Sequence, residues 1–181
     1  TYVKGSDTLM SGSLKADKGL LSSNGSIGGF VFDNGGKIQD CYSNILIQSN
    51  ARTAGFVFKN STSGSISNAY SASTIEKSSA LHMPFIGVDE SSTVQCADPS
   101  SISNAYYYTE NNSEFEASAV EEIAVPILKA NFATESRFAG FAFSEDGKYD
   151  AVWVMTNTTN GMVPDLYDAN CLTYSQRELF T

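Results

Sequence analysis

Apolar and polar positions alternate along much of this chain in a phrase that is written three times. Gly29-Phe30-Val31-Phe32 precedes a polar turn and then Ile38-Gln39-Asp40-Cys41-Tyr42-Ser43. The phrase returns as Gly55-Phe56-Val57-Phe58 with Ile66-Ser67-Asn68-Ala69-Tyr70-Ser71. A third copy is altered in its first half, Pro84-Phe85-Ile86-Gly87, and intact in its second, Ile102-Ser103-Asn104-Ala105-Tyr106-Tyr107. A period of two predicts strands, because successive side chains leave a pleated backbone on opposite faces. Strict alternation puts Phe30 and Phe32 on one face and Val31 on the other. It likewise groups Ile38, Asp40 and Tyr42 against Gln39, Cys41 and Ser43. Asn24-Gly25, Asp33-Asn34-Gly35-Gly36 and residues 60–64 separate the runs with residue types that reverse a chain at little conformational cost.

The spacing of the copies predicts how the strands are arranged. Phe30 and Phe56 lie 26 residues apart and Phe56 and Phe85 lie 29 apart, a period typical of stacked, quasi-one-dimensional folds. A repeat this short cannot bury its apolar face alone, so successive copies must cover one another. Ile38 to Phe56 is 18 residues and Ile66 to Phe85 is 19, whereas the other connection grows from 8 to 10 to 17. One connection is held and the other tolerates insertion, as loops on one side of a stack do. The expectation is an all-β solenoid of short strands, with a protruding loop at about 89–101 and at most one short helix.

Gly-Gly-Phe-Val-Phe, a polar turn and Ile-x-Asp/Asn-x-Tyr-Ser together resemble the GLUG-type repeat of large bacterial surface proteins, including filamentous-haemagglutinin-like adhesins and some secreted proteases. The resemblance covers about residues 25–107, and residues 138–143, 152–155 and 161–166 resemble the segment that often closes such arrays. It implies a right-handed β-solenoid, or β-helix, on a secreted or surface-displayed protein. It implies no catalytic residue, because the motif positions build the coil. Those positions are Gly29, Phe30, Phe32, Ile38, Tyr42, Gly55, Phe56, Phe58, Ile66, Asn68, Tyr70, Phe85, Ile102, Asn104 and Tyr106, with Phe141 and Trp153 in the closing segment. The third copy departs from the pattern at His82-Met83-Pro84. Three regions follow: 1–24 as the end of a preceding coil or an N-terminal cap, 25–107 as three coils, and 108–181 as loop, short helix and strand-rich cap. Tyr2-Val3-Lys4-Gly5 has the form of an earlier coil's end, from which a longer parent protein is expected, with a flexible N-terminus as the alternative.

Beyond Tyr108 the pattern changes. Residues 108–117 read as a second loop and 118–123 as a short helix, with Ser118 as its N-cap and Pro126 as its stop. Trp153 is expected to cover the open end of the stack, since its ring buries a large apolar area. A sugar-binding platform of Trp153 with Tyr149 or Tyr167 is the functional alternative. Cys41 occupies the slot of Ala69 and Ala105 and reads as a small filler. Cys96 and Cys171 lie outside the phrase and would pair only in an oxidising compartment.

Charge and chemistry narrow the function. A formal net charge of -9, with Lys and Arg scattered, argues against nucleic-acid partners, and no apolar run is long enough to insert in a bilayer. His82 is the single histidine, and the cysteine spacing forms no zinc motif. The acids of successive copies do not align: Asp33 and Asp40 stand opposite Lys59 and Asn68, then Asp89 and Asn104, so paired carboxylates for glycan cleavage are not expected. Asp33-Asn34-Gly35-Gly36 and Asp146-Gly147-Lys148-Tyr149-Asp150 lack the ligand run of a calcium loop and read as turns. Asp40, Asn68 and Asn104 are expected to form a ladder of inward-facing polar groups, and Tyr42, Tyr70 and Tyr106 a register column. Sequons at Asn24, Asn60, Asn111 and Asn157 would be surface acceptor sites in a eukaryotic secreted protein and chance occurrences in an Asn- and Ser-rich bacterial one. The reading is an extracellular stalk or adhesin without enzymatic activity, metal or cofactor. Its partners would be a host or neighbouring cell surface, through glycan or protein, or other coils and copies of itself, with binding in the side loops. The alternatives are a fibre or capsid-associated protein of a virus or phage and, further off, a glycan-active β-helix enzyme.

Overall fold

The computed structural model describes residues 14–23, 25–76, 81–88, 95, 97–109, 122–144, 152–158 and 161–166, with backbone alone for 14–23. The expectations for residues 2–5, 118–121 and 146–150, for most of the loops at 89–101 and 108–117 (residues 89–94, 96 and 110–117), for Tyr149, Tyr167 and Cys171, and for the sequons at Asn24 and Asn111 lie outside them, as does the Asn157 side chain. The described chain is all-β, with strands β1 (Leu14–Ser23), β2 (Ile27–Gly28), β3 (Val31–Asn34), β4 (Lys37–Ser49), β5 (Thr53–Ala54), β6 (Val57–Asn60), β7 (Ser65–Ser71), β8 (Thr74–Ile75), β9 (His82–Met83), β10 (Ile102–Tyr108) and β11 (Val125–Ile127). One turn of α-helix, α1 (Lys129–Phe132), and an antiparallel hairpin of β12 (Trp153–Thr158) and β13 (Gly161–Leu166) follow. The helix expected to reach residue 123 is absent at 122 and 123, and Pro126 sits inside β11 instead of stopping a helix.

The repeat aligns strand on strand. A curled sheet runs β1-β4-β7-β10-β11, every pair parallel, with β8 also beside β4. Its register places Ile38 beside Ile66 and Ile66 beside Ile102, and does the same for Cys41, Ala69 and Ala105 and for Tyr42, Tyr70 and Tyr106. The first half-motif forms two further parallel groups, β2-β5-β9 and β3-β6, the latter continued by a bridge from Val57 to Ile86. Backbone polar groups are thus satisfied by the neighbouring repeat, as a stack requires.

Strict alternation fails at two places, and the backbone explains both. Asp40, Asn68 and Asn104 have φ of 52°, 50° and 49°, the left-handed region that short polar side chains tolerate best after glycine. That residue interrupts the pleat, so Ile38 and Cys41 both join the core while Tyr42 joins a second cluster. The grouping of Ile38 with Tyr42 is corrected accordingly. At the other corner, the amides of Phe30 and Val31 both donate to the Phe56 carbonyl (2.7 and 3.2 Å), and those of Phe56 and Val57 to the Phe85 carbonyl (3.2 and 3.0 Å). Two consecutive residues then face inward, Phe30 and Val31 are buried together, and Phe32 is 39% exposed. Phe32 therefore does not share the face of Phe30.

Inside the curl, Phe30, Phe56 and Phe85 stack with ring centroids 5.0 and 4.7 Å apart. Ile38, Ile66, Val57, Ile86 and the small residues Cys41, Ala69 and Ala105 fill the remaining space. Cys41 is a buried thiol whose Sγ lies 3.1 Å from the Gln39 carbonyl, in keeping with a filler. Gly55 is required by contact with the next repeat: a Cβ there would lie 2.1 Å from the Pro84 carbonyl oxygen and 2.5 Å from Ser71 Oγ. Since the carbonyl is backbone, Gly55→Ala is expected to destabilise by about 1 to 3 kcal/mol through overpacking. Urea unfolding followed by far-UV circular dichroism would measure it, and an unchanged midpoint would contradict this packing.

Candidate functional site

The outer face of the curled sheet carries the tyrosine column, and the C-terminal segment lies across it. Tyr42 and Tyr70 stack at 4.9 Å with planes 1° apart. Their hydroxyls donate to Asp165 Oδ1 (2.8 Å) and to the Pro164 carbonyl (2.5 Å), and that of Tyr106 donates to the Ala139 carbonyl (3.3 Å). Phe132, Phe138, Phe141 and Trp153 close over the rings, with Trp153 stacked on Phe141 at 4.4 Å. Trp153 is fully buried and packs against Tyr42 and Tyr70, so it covers the side of the stack and not its open end. A buried ring cannot present a sugar platform, which removes that alternative for Trp153.

Beside the column runs the predicted polar ladder. Asn104 Nδ2 donates to Asn68 Oδ1 (2.9 Å) and Asn68 Nδ2 to Asp40 Oδ1 (3.1 Å). Asp40 also receives Trp153 Nε1 on Oδ1 (3.2 Å) and Gln39 Nε2 on Oδ2 (3.0 Å). The ladder is not inward-facing as expected: Asp40 and Asn68 are half-buried and Asn104 is exposed, because the left-handed bend turns them out of the core. Gly140, at φ 81°, presses on it so closely that a Cβ would meet Asn104 Nδ2 at 2.0 Å. Asn68→Gly should lose the ladder bonds but keep the bend, at about 1 kcal/mol, whereas Asn68→Ala adds the left-handed penalty of roughly 1 to 2 kcal/mol. Equal unfolding midpoints for the two variants would refute the role of the bend.

A second amide ladder was not read from the sequence. Asn34 Nδ2 donates to Asn60 Oδ1 (2.6 Å), and Asn60 Nδ2 donates to the Gly64 carbonyl (3.0 Å) and Ser101 Oγ (2.9 Å). The signal was available, since both asparagines sit four residues after the phenylalanines of the core stack. Asn60 is buried, so it does not offer the surface position that a glycosylation acceptor needs. Asp33 and Lys59 stand in register as expected, as an exposed pair at 3.8 Å.

The most unusual electrostatics lie at the end of the core. Glu122 is partly exposed as a residue, but its carboxyl group is enclosed, and burial pushes its pKa up against the opposing pull of its hydrogen bonds. Oε2 accepts from the amides of Phe85 (3.1 Å) and Ile86 (3.3 Å), and Oε1 from Gln95 Nε2 (2.9 Å) and the Ile123 amide (2.9 Å). Buried Gln95 also accepts from the Ile123 amide (3.0 Å) and donates to the Ile86 carbonyl (3.3 Å). Burial and the Glu122 charge together raise the Tyr107 hydroxyl. Gln95 falls within the stretch expected to protrude as a loop, and it is held inside instead. Further along that stretch, residues 99–101 form a short helical turn capped by Asp98, whose side chain accepts from the Ser100 amide at 2.9 Å.

His82 Nδ1 lies 2.6 Å from Thr53 Oγ1, and Thr53 is buried, so its hydroxyl is closed to a substrate. The described acids, cysteine and histidine form no cluster of three or more that could hold a metal ion. No helix of the described residues is long and apolar enough to cross a membrane. No family model, curated protein or solved structure matches the chain.

Proposed function

We propose that this chain is a right-handed β-solenoid module of the GLUG type that serves as a structural stalk or adhesin on a secreted or surface-displayed protein, without catalysis. The observation that supports this reading is the repetition of aromatic and amide columns from one copy to the next. Phenylalanine, tyrosine and asparagine columns each use their functional groups on one another or on the covering segment. Among the described residues, Ser71 Oγ is the sole buried side-chain oxygen or nitrogen without a hydrogen-bond partner. Side chains so fully committed to a scaffold suit a spacer that holds binding loops apart.

The test is the native protein's location. Antibody labelling of intact cells together with fractionation should find it at the surface or in the medium. Recovery solely from the cytosol of intact cells would sink the reading, and stoichiometric recovery in purified virus or phage particles would move it to a particle fibre or capsid-associated protein.

A further inference from the structure

We propose that residues 122–127 are a built-in stop that keeps the strands of a second copy of this chain from docking on the end of the stack. Each repeat gives the corner amides of its half-motif to a carbonyl of the next: Phe30 and Val31 to Phe56, then Phe56 and Val57 to Phe85. The amides of Phe85 and Ile86 continue the series and demand the same acceptor. They receive Glu122 Oε2, at 3.1 and 3.3 Å, where the next repeat's carbonyl would stand. One carboxylate oxygen thus takes the place of a next coil's two-amide acceptor, and Gln95 Nε2 holds the other oxygen at 2.9 Å.

The curled sheet ends by a different device. Among the described residues β11 is its last strand, paired with β10 through residues 125–127. Thr109 donates to the Ile127 carbonyl (3.2 Å), so the peptide groups of Ile127 face β10. The alternation of a parallel ladder aims the neighbouring Pro126 nitrogen at the outer edge, where proline has no hydrogen to donate. One edge is therefore filled and the other lacks a donor, both within six residues. Open edges template addition of further strands. The occupant excluded is a second copy, because the phrase that would dock is the one this chain already stacks on itself twice.

Sedimentation velocity over a concentration series, with far-UV circular dichroism of each sample, tests the stop. Glu122→Ala, which removes the acceptor, should shift the chain to faster-sedimenting, concentration-dependent species while retaining its strand spectrum. Glu122→Gln keeps an acceptor oxygen and should sediment as the wild type does. A folded Glu122→Ala chain of wild-type size overturns the proposal, and so does a Glu122→Gln chain that associates as strongly as Glu122→Ala. If Glu122→Ala loses its strand spectrum, the decision passes to Pro126→Thr, an exposed position that regains an outward amide. Association of that variant supports the stop, and wild-type sedimentation overturns it.

Discussion

Replacing Trp153 with alanine is expected to cost about 3 to 5 kcal/mol of unfolding free energy, the range for deleting a large buried aromatic ring. The residue has no exposed surface and touches Tyr42, Tyr70 and Phe141. Its loss would leave a cavity between the covering segment and the tyrosine column, and Asp40 Oδ1 would lose its indole donor. Trp153→Phe keeps most of the packing and should cost less than half as much, chiefly the lost hydrogen bond of about 1 kcal/mol and some volume. Urea unfolding with a strand-sensitive probe would rank the two. A Trp153→Ala chain as stable as wild type would mean that the covering segment contributes nothing to the stack beneath it.

Glu122→Ala should be comparably severe, at about 3 to 5 kcal/mol, because the amides of Phe85 and Ile86 would lose their acceptor and each buried donor left unmatched costs roughly 1 to 3 kcal/mol. Glu122→Gln should be milder, since its amide oxygen can still accept from Phe85 and Ile86, although its Nε2 then meets the donors of the other side and the Gln95 amide must turn over to accept it. The pH dependence isolates the charge. Burial raises the native carboxyl above its ordinary value of 4.5, so between that value and the raised one the native state binds more proton than the unfolded state. The contribution of this group is fully present below the unfolded value and is lost as pH rises through the native one. Stability measured upward from the ordinary carboxylate range should therefore fall more steeply for wild type than for Glu122→Gln. Parallel profiles would show that Glu122 does not titrate differently in the two states.

The columns were legible because a stack writes its neighbours into its period. Phe30, Phe56 and Phe85, like Tyr42, Tyr70 and Tyr106, are found by counting, and parallel pairing in register makes equal positions touch. The Asp40, Asn68 and Asn104 ladder was readable for the same reason, although its outward turn was not. Period two assumes an unbroken pleat, and one left-handed residue per repeat shifts every side chain after it to the other face. Asn60 shows the opposite lapse: the local sequence reads as an exposed turn, and burial comes from its partners Asn34 and Ser101, far away in the chain.

Repetition in the sequence by itself determined the strand character, the register of the columns and the small-residue slots of Gly55 and Cys41, because each is set by the next copy of the same phrase. Tertiary structure alone decided what happens where repetition stops. Trp153 has no counterpart in the repeats, and only the path of the chain lays it on the tyrosine face instead of the open end. Glu122 likewise carries no repeat signature, yet it occupies a carbonyl's place because the enclosed amides of Phe85 and Ile86 require an acceptor from whichever segment arrives there.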